Sequence, residues 1–349
     1  MAGNEQGKPI IGVTMGDPAG VGPEVIVRTL AHADLFAHCR PLVIGDLGVF
    51  EEACRTVGIP LVVNPVPGPG FARFRYGTLD LLDLANVVPL PRSSRSLPAA
   101  TGKAAGQALE TAARMALKGE IEGVVSAPVD EPLLRAAGYP YATQADLLAA
   151  LAGARHYGQL LVAGQLRLAR VSGHRVLRKA VEAITRSSVV AAIKLAHRGT
   201  RMMGIAQPRI GVAGLSLPGP ERARAAKLEQ TAILPAIAAA TQAGMLVTGP
   251  LAPALLLPSV AAGRFDVLVS MYHAQTQVPL KGVSFNPQPA RWAPPAGAVL
   301  VTVGLPIIHA APHHGPGREI AGQGTASEQA LRQALLLAAL MARVRRQSP

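Results

Sequence analysis

The sequence predicts an α/β fold with mixed sheets, and three observations lead to this prediction. The chain has 349 residues, of which 49% are hydrophobic, so it can bury a large core in one large or two medium domains. Aromatic residues make up only 3% of the chain, so this core must be aliphatic. Short aliphatic runs alternate with helix-period segments, and 36 glycines and 30 prolines punctuate them.

The N-terminal half begins with a strand, a glycine-rich turn and a helix. The apolar run Ile10–Met15 predicts the strand, and the apolar periodicity of Val25–Leu30 predicts the helix. Further strands are predicted at Pro41–Ile44, Leu61–Val63 and Gly123–Ser126, and helices at Leu47–Val57, Thr101–Lys118, Glu131–Ala136 and Gln144–Ala152. Residues 64–99 are rich in Pro, Gly and Arg, which indicates irregular structure or an edge hairpin.

The C-terminal half continues the alternation. Its strands are predicted at Gln159–Val162, Leu166–Val171, Arg209–Ala213, Val267–Ser270 and Ala298–Val303. The segment Val176–His197 is predicted to be mostly helical, and Pro220–Ala240 is predicted to be a helix that is interrupted or ends near Pro235. The uncharged stretch Thr231–Gly263 contains four prolines, so it predicts buried helix, loop and strand, with no membrane span. Thr325 and Glu328 have the spacing of a capping box, which predicts a last helix reaching about Val344.

Charge and cysteine content limit the partners. The net charge is +13, but the basic residues are scattered and aromatic residues are scarce, which argues against nucleic acid and leaves a small anionic substrate compatible. Cys39 and Cys54 have no metal-ligand or redox spacing, which favours a reduced compartment. The polar N-terminus has no apolar core of a signal peptide. We therefore expect a cytoplasmic protein without a membrane partner.

The turn GDPAGVGPE, residues 16–24, is the first candidate site. Pro23 suits the first helical position, and Glu24 suits the positive end of a helix. Its glycine spacing differs from the dinucleotide-binding fingerprint. From the residues alone, an ordinary tight turn and a ligand-binding turn are equally open.

Histidines supply the second candidate site. His174 and His273 both follow predicted strands, where α/β sheets place ligands, and imidazoles are common ligands for divalent metals. A single histidine in such a place is more often structural. The cluster of His309, His313 and His314 lies in a segment rich in Gly and Pro, which predicts a solvated loop. Lys281 could act as a general acid or hold a carboxylate, although an ordinary surface lysine is the simpler interpretation.

The segment IGVTMGDPAGVGPE resembles the signature of 4-hydroxythreonine-4-phosphate dehydrogenases, which belong to the isocitrate/isopropylmalate dehydrogenase-like fold. Weaker matches follow in the family's order, among them SGHRVLRKAVEAIT, MYHAQ with VPLK, and IAGQGTA. The resemblance implies two α/β domains with a cleft between them. Residues 1–130 and 285–349 would form the domain with the signature loop and the NAD side. Residues 131–284 would carry the metal and substrate residues and the dimer interface.

The resemblance also implies an activity. The family is a homodimeric, NAD-dependent dehydrogenase that oxidises a secondary alcohol β to a carboxylate and then decarboxylates the product, with help from a divalent metal such as Zn, Mg or Fe. Carried over residue by residue, it implies His174 and His273 as metal ligands, Lys281 and Asp17 as catalytic residues, and Gly315, Ala321 and Gly322 at the cofactor.

Several positions depart from the family pattern. Pro218 stands where the middle metal-binding histidine is expected, so we expect a weakened metal site. Glu131, Gln144–Ala145 and His309 replace family residues that hold the substrate phosphate. These changes favour a non-phosphorylated substrate such as terephthalate cis-1,2-dihydrodiol. Two alternatives stay open: 4-hydroxythreonine-4-phosphate dehydrogenase of pyridoxal phosphate biosynthesis, and a catalytically degenerate homodimer that binds a small anion.

Overall fold

The computed structural model describes residues 7–87, 98–173, 176–215, 226–282, 285–287, 290–292 and 297–347. The chain divides into two compact units. The first unit contains residues 1–157 and 304–349, and the second contains residues 158–303.

The first unit is built on six strands. They are β1 (Ile10–Thr14), β2 (Arg40–Gly45), β3 (Val62–Pro65), β4 (Thr78–Asp83), β5 (Gly123–Ser126) and β14 (Ile308–Pro312). Their order is β3-β4-β2-β1-β5-β14, and all neighbouring strands are parallel. β1, β5 and β14 are almost wholly buried, which explains their continuous aliphatic runs.

Six α-helices accompany this sheet. They are α1 (Gly22–Leu30), α2 (Leu47–Val57), α3 (Pro98–Leu117), α4 (Glu131–Ala136), α5 (Gln144–Leu151) and α11 (Gln329–Gln347). Helix α2 begins where the Asp46 carboxylate accepts a hydrogen bond from Val49 N at 3.3 Å, and it ends at Gly58 in the left-handed conformation. The buried face of α3 carries Ala105, Ala108 and Ala112, whose small side chains let the helix approach the sheet closely.

The second unit contains six strands of a mixed sheet and a small two-stranded sheet. The six strands are β6 (Gly158–Ala163), β7 (Leu166–Arg170), β8 (Arg209–Ala213), β9 (Leu246–Leu251), β10 (Val267–Ser270) and β13 (Val299–Val303), in the order β13-β6-β7-β10-β8-β9. β13, β6 and β7 pair antiparallel, whereas β7, β10, β8 and β9 pair parallel. The helices are α6 (Leu177–Glu182), α7 (Arg186–Met202), α8 (Leu234–Gln242), α9 (Leu256–Ala261) and α10 (His273–Gly282), and β11 (Phe285–Pro287) pairs with β12 (Ala290–Trp292).

The α/β class with mixed sheets is confirmed, and most predicted elements are present. The segment Val176–His197, expected to be mostly helical, contains two helices, because Thr185 forms a capping box with Ser188 and begins α7. The expected irregular region 64–99 contains the buried strand β4. The last helix begins at Gln329, beyond the expected capping box, and the Glu328 carboxylate lies 3.1 Å from His32 Nε2.

The expected domain boundaries differ from the two units. Residues 131–157 were expected in the same domain as residues 158–284, but α4 and α5 pack against α3 in the first unit. Residues 285–303 were expected in the same domain as residues 1–130, but β13 pairs antiparallel with β6 in the second unit. The second difference comes from a pairing between distant parts of the chain, which local periodicity does not encode.

Among the described residues, no helix combines the length and the hydropathy that crossing a membrane requires.

Candidate active site residues at the strand ends

The signature turn follows β1 and leads into α1. Gly16 has φ +71°, and a Cβ atom there would lie 2.4 Å from the carbonyl oxygen of Pro128. A Cβ atom on Gly22 would lie 2.3 Å from the carbonyl oxygen of Met15. The glycines are therefore required by backbone packing, whatever the turn binds.

Asp17 lies in this turn and is almost completely buried, with 2% of its surface exposed. Its Oδ2 accepts hydrogen bonds from Arg318 Nε at 2.9 Å and Nη2 at 2.5 Å, and its Oδ1 accepts one from Ala19 N at 3.0 Å. Arg318 also lies 3.7 Å from the Asp130 carboxylate. The charge of Asp17 is thus balanced within the first unit, and Arg318 is a functional candidate that sequence reasoning missed.

Glu24, the last residue of the signature, is also buried. Its two carboxylate oxygens accept hydrogen bonds from Gly322 N at 2.5 Å and Gly324 N at 2.8 Å. The Arg28 guanidinium donates to the carbonyl oxygen of Gly324. These contacts tie the start of α1 to the glycine-rich loop 317–324.

The three expected cofactor residues are in the loop between β14 and α11. Gly315 is exposed, and a Cβ atom there would touch no described atom within 4 Å, so a ligand has room to approach its backbone. Ala321 and Gly322 lie further along the loop, where the Gly322 N–H is already used by Glu24. Their predicted role at the cofactor stays a prediction.

His309 does not belong to a solvated loop, so that expectation is wrong for this residue. It lies in the buried strand β14, is 1% exposed, and its Nε2 lies 2.8 Å from Ser126 Oγ on β5. Burial lowers the pKa of His309 to about 4, because the charged imidazolium cannot be solvated there. The neutral ring is therefore no substitute for an arginine that binds phosphate.

The other two positions that depart from the family's phosphate site lie in an acidic region. Glu131 begins α4, and burial raises its pKa, with repulsion from Asp146 and Asp130 acting in the same direction and Arg135 opposing it. Gln144 begins α5, and its buried Oε1 has no hydrogen-bond partner among the described residues. This region does not offer a site for a phosphate dianion.

The second unit places ionisable side chains at the carboxyl ends of its parallel strands. Arg170 ends β7, and His273 begins α10 directly after β10. Arg170 Nη1 lies 2.7 Å from His273 Nδ1, and both side chains are half-buried. The parallel pairing of β7 with β10, in register at Arg170 and Ser270, brings the two residues together.

Gln275 organises the same strand ends. Its Oε1 accepts a hydrogen bond from Met271 N at 2.8 Å, and its Nε2 donates to the carbonyl oxygen of Gly214 at 3.0 Å. Met271 follows β10 and Gly214 follows β8, so one buried amide fixes the distance between two strand ends. Ser270 Oγ lies 2.6 Å from Thr276 Oγ1, which holds the first turn of α10 against β10.

One ring nitrogen of His273 faces Arg170 in this structure, and the expected role of His273 as a metal ligand stays a prediction. A guanidinium can only donate, so His273 Nδ1 accepts the hydrogen bond from Arg170. A unit charge about 6 Å from the guanidinium would also be repelled by about 3 kcal/mol at an effective dielectric constant of about 20, and a divalent ion by twice that.

Part of the expected metal and substrate site lies outside the described residues. His174 and Pro218 lie outside the described residues, and so does the side chain of Lys281, which belongs to α10. Among the residues that are described, no three His, Cys, Asp or Glu side chains are grouped to hold a metal ion.

Comparison with known proteins identifies the family. The family model described as pyridoxal phosphate biosynthetic protein PdxA matches residues 37–338. The chain belongs to the PdxA family. This membership confirms the resemblance drawn from the signature turn.

Curated relatives and solved structures match almost the whole chain. The D-threonate 4-phosphate dehydrogenase of Cupriavidus necator is 37% identical over 94% of this chain and 95% of its own. The 4-hydroxythreonine-4-phosphate dehydrogenase of Geobacter metallireducens is 34% identical over 97% of each chain. The crystal structure of a 4-hydroxythreonine-4-phosphate dehydrogenase from Burkholderia phymatum is 36% identical, with a TM-score of 0.80 over 96% of this chain and 98% of that one. All three are dehydrogenases, which confirms the expected enzyme class.

The expected branch within the family is not supported. A terephthalate 1,2-cis-dihydrodiol dehydrogenase from Burkholderia xenovorans is 26% identical, with a TM-score of 0.59 over 93% of this chain and 95% of that one. It is a more distant neighbour than the PdxA-family enzymes that act on phosphorylated compounds. The comparisons therefore favour the first alternative, a dehydrogenase that acts on a phosphorylated hydroxy acid, over a terephthalate dihydrodiol dehydrogenase.

Proposed function

We propose that this chain is an NAD-dependent dehydrogenase that oxidises the secondary alcohol of a phosphorylated hydroxy acid and then releases carbon dioxide. The observation that carries the proposal is the 37% identity, over 94% of the chain, with a D-threonate 4-phosphate dehydrogenase. The substrates named for this relative and for the Geobacter enzyme share a carboxylate, a hydroxyl β to it and a terminal phosphate. They differ at carbon 2, which bears a hydroxyl in one and an amino group in the other.

The proposed reaction balances without a further oxidant. The hydrogen on the alcohol carbon leaves as a hydride to NAD⁺, and the hydroxyl proton leaves to a base. The β-keto acid then loses carbon dioxide, and the electron pair of the broken carbon–carbon bond stays on the neighbouring carbon as an enolate. We propose Lys281, in the helix that His273 begins, as the acid that protonates this carbon.

The first unit supplies the cofactor side in this proposal. Gly315, Ala321 and Gly322 lie in the loop that would meet the dinucleotide. Asp17, expected as a catalytic residue, acts here as a positioning residue, since its carboxylate is buried and paired with Arg318. The acidic region around Glu131 repels a phosphate dianion, so the substrate phosphate must meet other groups.

A substrate panel tests the proposal. The purified protein is mixed with NAD⁺ and either D-threonate 4-phosphate or 4-hydroxythreonine 4-phosphate, and NADH formation is followed by absorbance together with carbon dioxide release. The matched controls are the same two acids without phosphate. We expect one carbon dioxide per NADH and at least about a 100-fold higher kcat/KM for one phosphorylated acid than for its control.

Two outcomes would contradict the proposal. Equal turnover with and without the phosphate would return the substrate to the non-phosphorylated class. Binding of the acids without any NADH would favour the degenerate anion-binding homodimer. The family also implies a homodimer for the active enzyme, which light scattering on the purified protein would test.

A further inference from the structure

Basic side chains are concentrated at one edge of the sheet in the first unit. The strands of this unit are parallel, so the residues that precede them lie at the same edge, and the signature turn, which follows β1, lies at the opposite edge. Six basic side chains, half-buried or exposed, lie where the strands begin: Lys8, Arg40, Arg73, Arg75, Arg343 and Arg345. We call this set the basic edge.

Contacts between distant parts of the chain bring these residues together. The Nε of Arg40, the first residue of β2, donates to the carbonyl oxygen of Lys8 at 2.9 Å. The Arg40 guanidinium also lies 5.3 Å from the centre of the Phe74 ring, which belongs to the loop 66–77 before β4. Arg343 Nη1 donates to the carbonyl oxygen of His38, just before β2, at 3.4 Å. Positions that are scattered along the sequence therefore form one surface.

The end of helix α11 brings further positive charge to this edge. Arg345 Nη1 donates to the carbonyl oxygen of Pro306, before β14, at 2.9 Å, and Arg346 pairs with Glu122, the residue before β5. Burial lowers the pKa of Arg40, and the positive charge of Arg346 lowers it further. Cations held this close repel one another, and a polyanion bound at the edge would relieve the repulsion.

Exposed aromatic rings lie between the arginines of the same surface. Residues 71–76 of the loop 66–77 read FARFRY, in a chain with only 3% aromatic residues. Phe71 is 73% exposed and Tyr76 is 58% exposed, the two highest values among the aromatic side chains of the described residues. The Tyr76 ring packs edge-on against Phe36, with the ring centres 6.3 Å apart. The surface thus combines cations with accessible ring faces.

A buried carboxylate fixes the loop that carries these rings. Asp80 is 2% exposed, and its oxygens accept hydrogen bonds from Arg73 N at 3.1 Å, Phe74 N at 2.7 Å and Asn64 Nδ2 at 2.6 Å. Phe74 adopts φ +50°, a conformation that a residue with a side chain rarely takes. Because the loop is held in this form by the protein itself, a ligand would not have to order it on binding.

We propose that the basic edge and the exposed rings of the loop 66–77 form a binding surface for single-stranded nucleic acid, separate from the dehydrogenase site. Guanidinium groups pair with phosphate oxygens, and ring faces stack on bases. Five of the six cations are arginines, which also stack on bases, whereas an anionic membrane attracts Lys and Arg alike. The expectation that nucleic acid is excluded rested on scattered cations and scarce aromatic residues, and the fold collects both at one edge.

Fluorescence anisotropy with the full-length protein gives the first test. The probes are labelled oligo(U) RNA and oligo(dT) DNA of about 20 nucleotides, and a DNA duplex of the same length. At about 100 mM salt we expect a Kd on the order of 10 μM for the single strands and at least about tenfold weaker binding of the duplex. Tighter binding of either single strand supports the proposal and identifies the preferred polymer. Equal binding of the duplex, or no binding of either single strand, would overturn it.

Substitutions locate the binding and divide it into two parts. Phe71→Ala should weaken binding of the single strands about tenfold without changing its salt dependence, and Phe71→Leu, which keeps an apolar side chain but lacks the ring, should do the same. Arg73→Gln combined with Arg75→Gln should make the plot of log K against log salt less steep by about 1.4, for two lost phosphate contacts.

Arg198→Gln, at an exposed arginine of α7 in the second unit, is the matched control and should bind as wild type. Thermal unfolding verifies that each variant is folded. Wild-type binding by the Phe71 variants and by the double arginine variant would overturn the proposal, since the oligomers would then bind elsewhere on this basic chain.

Two further measurements set this surface apart from a membrane site and from the dehydrogenase. Sedimentation with phosphatidylcholine vesicles that contain about one third phosphatidylserine should leave the protein in the supernatant, and stronger binding to vesicles than to the oligomers would replace nucleic acid by a membrane. NADH formation by the Phe71 and arginine variants should equal that of wild type, and a loss of turnover would contradict a separate surface. The binding assays use no substrate, so they decide this inference even if the proposed dehydrogenase function fails.

Discussion

The signature turn of the first unit and the strand ends of the second unit differ in whether their buried charged side chains have partners of opposite charge or hydrogen-bond partners. In the turn, Asp17 and Glu24 are buried, and Arg318 and two backbone N–H groups satisfy them. At the strand ends, Arg170 is half-buried without a carboxylate partner among the described residues. A charge that the protein balances internally holds elements in position, whereas a charge that it leaves unbalanced is available to a ligand.

Two histidines show the same contrast. His309 of the first unit is buried against Ser126 and stays neutral, because burial lowers its pKa to about 4. His273 of the second unit is half-buried and directed by Arg170. The first is a packing residue with a hydrogen bond, and the second is the better candidate for contact with substrate.

The largest expected effect concerns His309 and pH. Its folded pKa of about 4 lies below the usual 6.5, so between these values the unfolded chain binds a proton that the folded chain does not. The free energy of unfolding should therefore fall by about 3 kcal/mol from this residue as the pH drops from about 7 to about 4. Urea denaturation across this range should show a shallower fall in His309→Gln. Identical pH dependence in both proteins would mean that His309 is accessible to protons in the folded state.

The next largest effect is expected for His273→Ala, and the quantity that changes is the catalytic activity. Removing the imidazole that pairs with Arg170 should reduce kcat by about 100-fold, equivalent to about 2.7 kcal/mol. His314→Ala, in the loop assigned to the cofactor side, should mainly raise the KM for NAD⁺ and leave turnover at saturating cofactor. Steady-state kinetics on the two variants makes the comparison, and near-normal turnover in His273→Ala would remove the second unit's strand ends from the active site.

Glu24→Ala should destabilise the first unit. It leaves the N–H groups of Gly322 and Gly324 without their acceptor in a partly buried setting, which should cost about 2 kcal/mol of unfolding free energy. The control is Glu51→Ala on the exposed face of α2, where a change within about 0.5 kcal/mol is expected. Equal midpoints for the two variants in chemical denaturation would show that the loop 317–324 does not depend on Glu24.

Asp17→Asn should have the smallest effect of the four. The amide keeps the shape of the side chain but loses the charge that faces Arg318, and partial exposure of Arg318 weakens the pair, so a loss of about 1 kcal/mol is expected. If Asp17 is a positioning residue, kcat should change by less than about tenfold and the KM for NAD⁺ should change with it. A loss of kcat at unchanged stability would restore the catalytic role expected from the sequence.

Local patterns in the sequence predicted much of the fold. The strand, turn and helix between residues 10 and 30 follow from burial periodicity and from glycines that backbone contacts require. The segment around His309 was misjudged as a loop because glycine and proline surround it. It is a strand because it pairs with β5, almost two hundred residues earlier in the chain, and no local pattern shows that partner.

The candidate site also contains residues that the sequence indicated and residues that only the structure revealed. The positions of His273 and of the signature turn at strand exits were visible in the sequence, as was the family they indicate. The sequence did not single out Arg170, because an arginine at the end of a predicted strand is usually an exposed residue. Its partner lies 103 residues away.

The sequence by itself determined the α/β class, the family and the residues that line the signature turn, because these depend on periodicity and on motifs whose members are close together in the chain. The tertiary structure alone decided which charges are matched. Arg318 meets Asp17 across 301 residues, and Arg170 meets His273 through the parallel pairing of β7 and β10. The order of the strands determines which of these side chains come into contact. Their burial then determines which ionisable groups are paired within the protein and which can pair with a ligand.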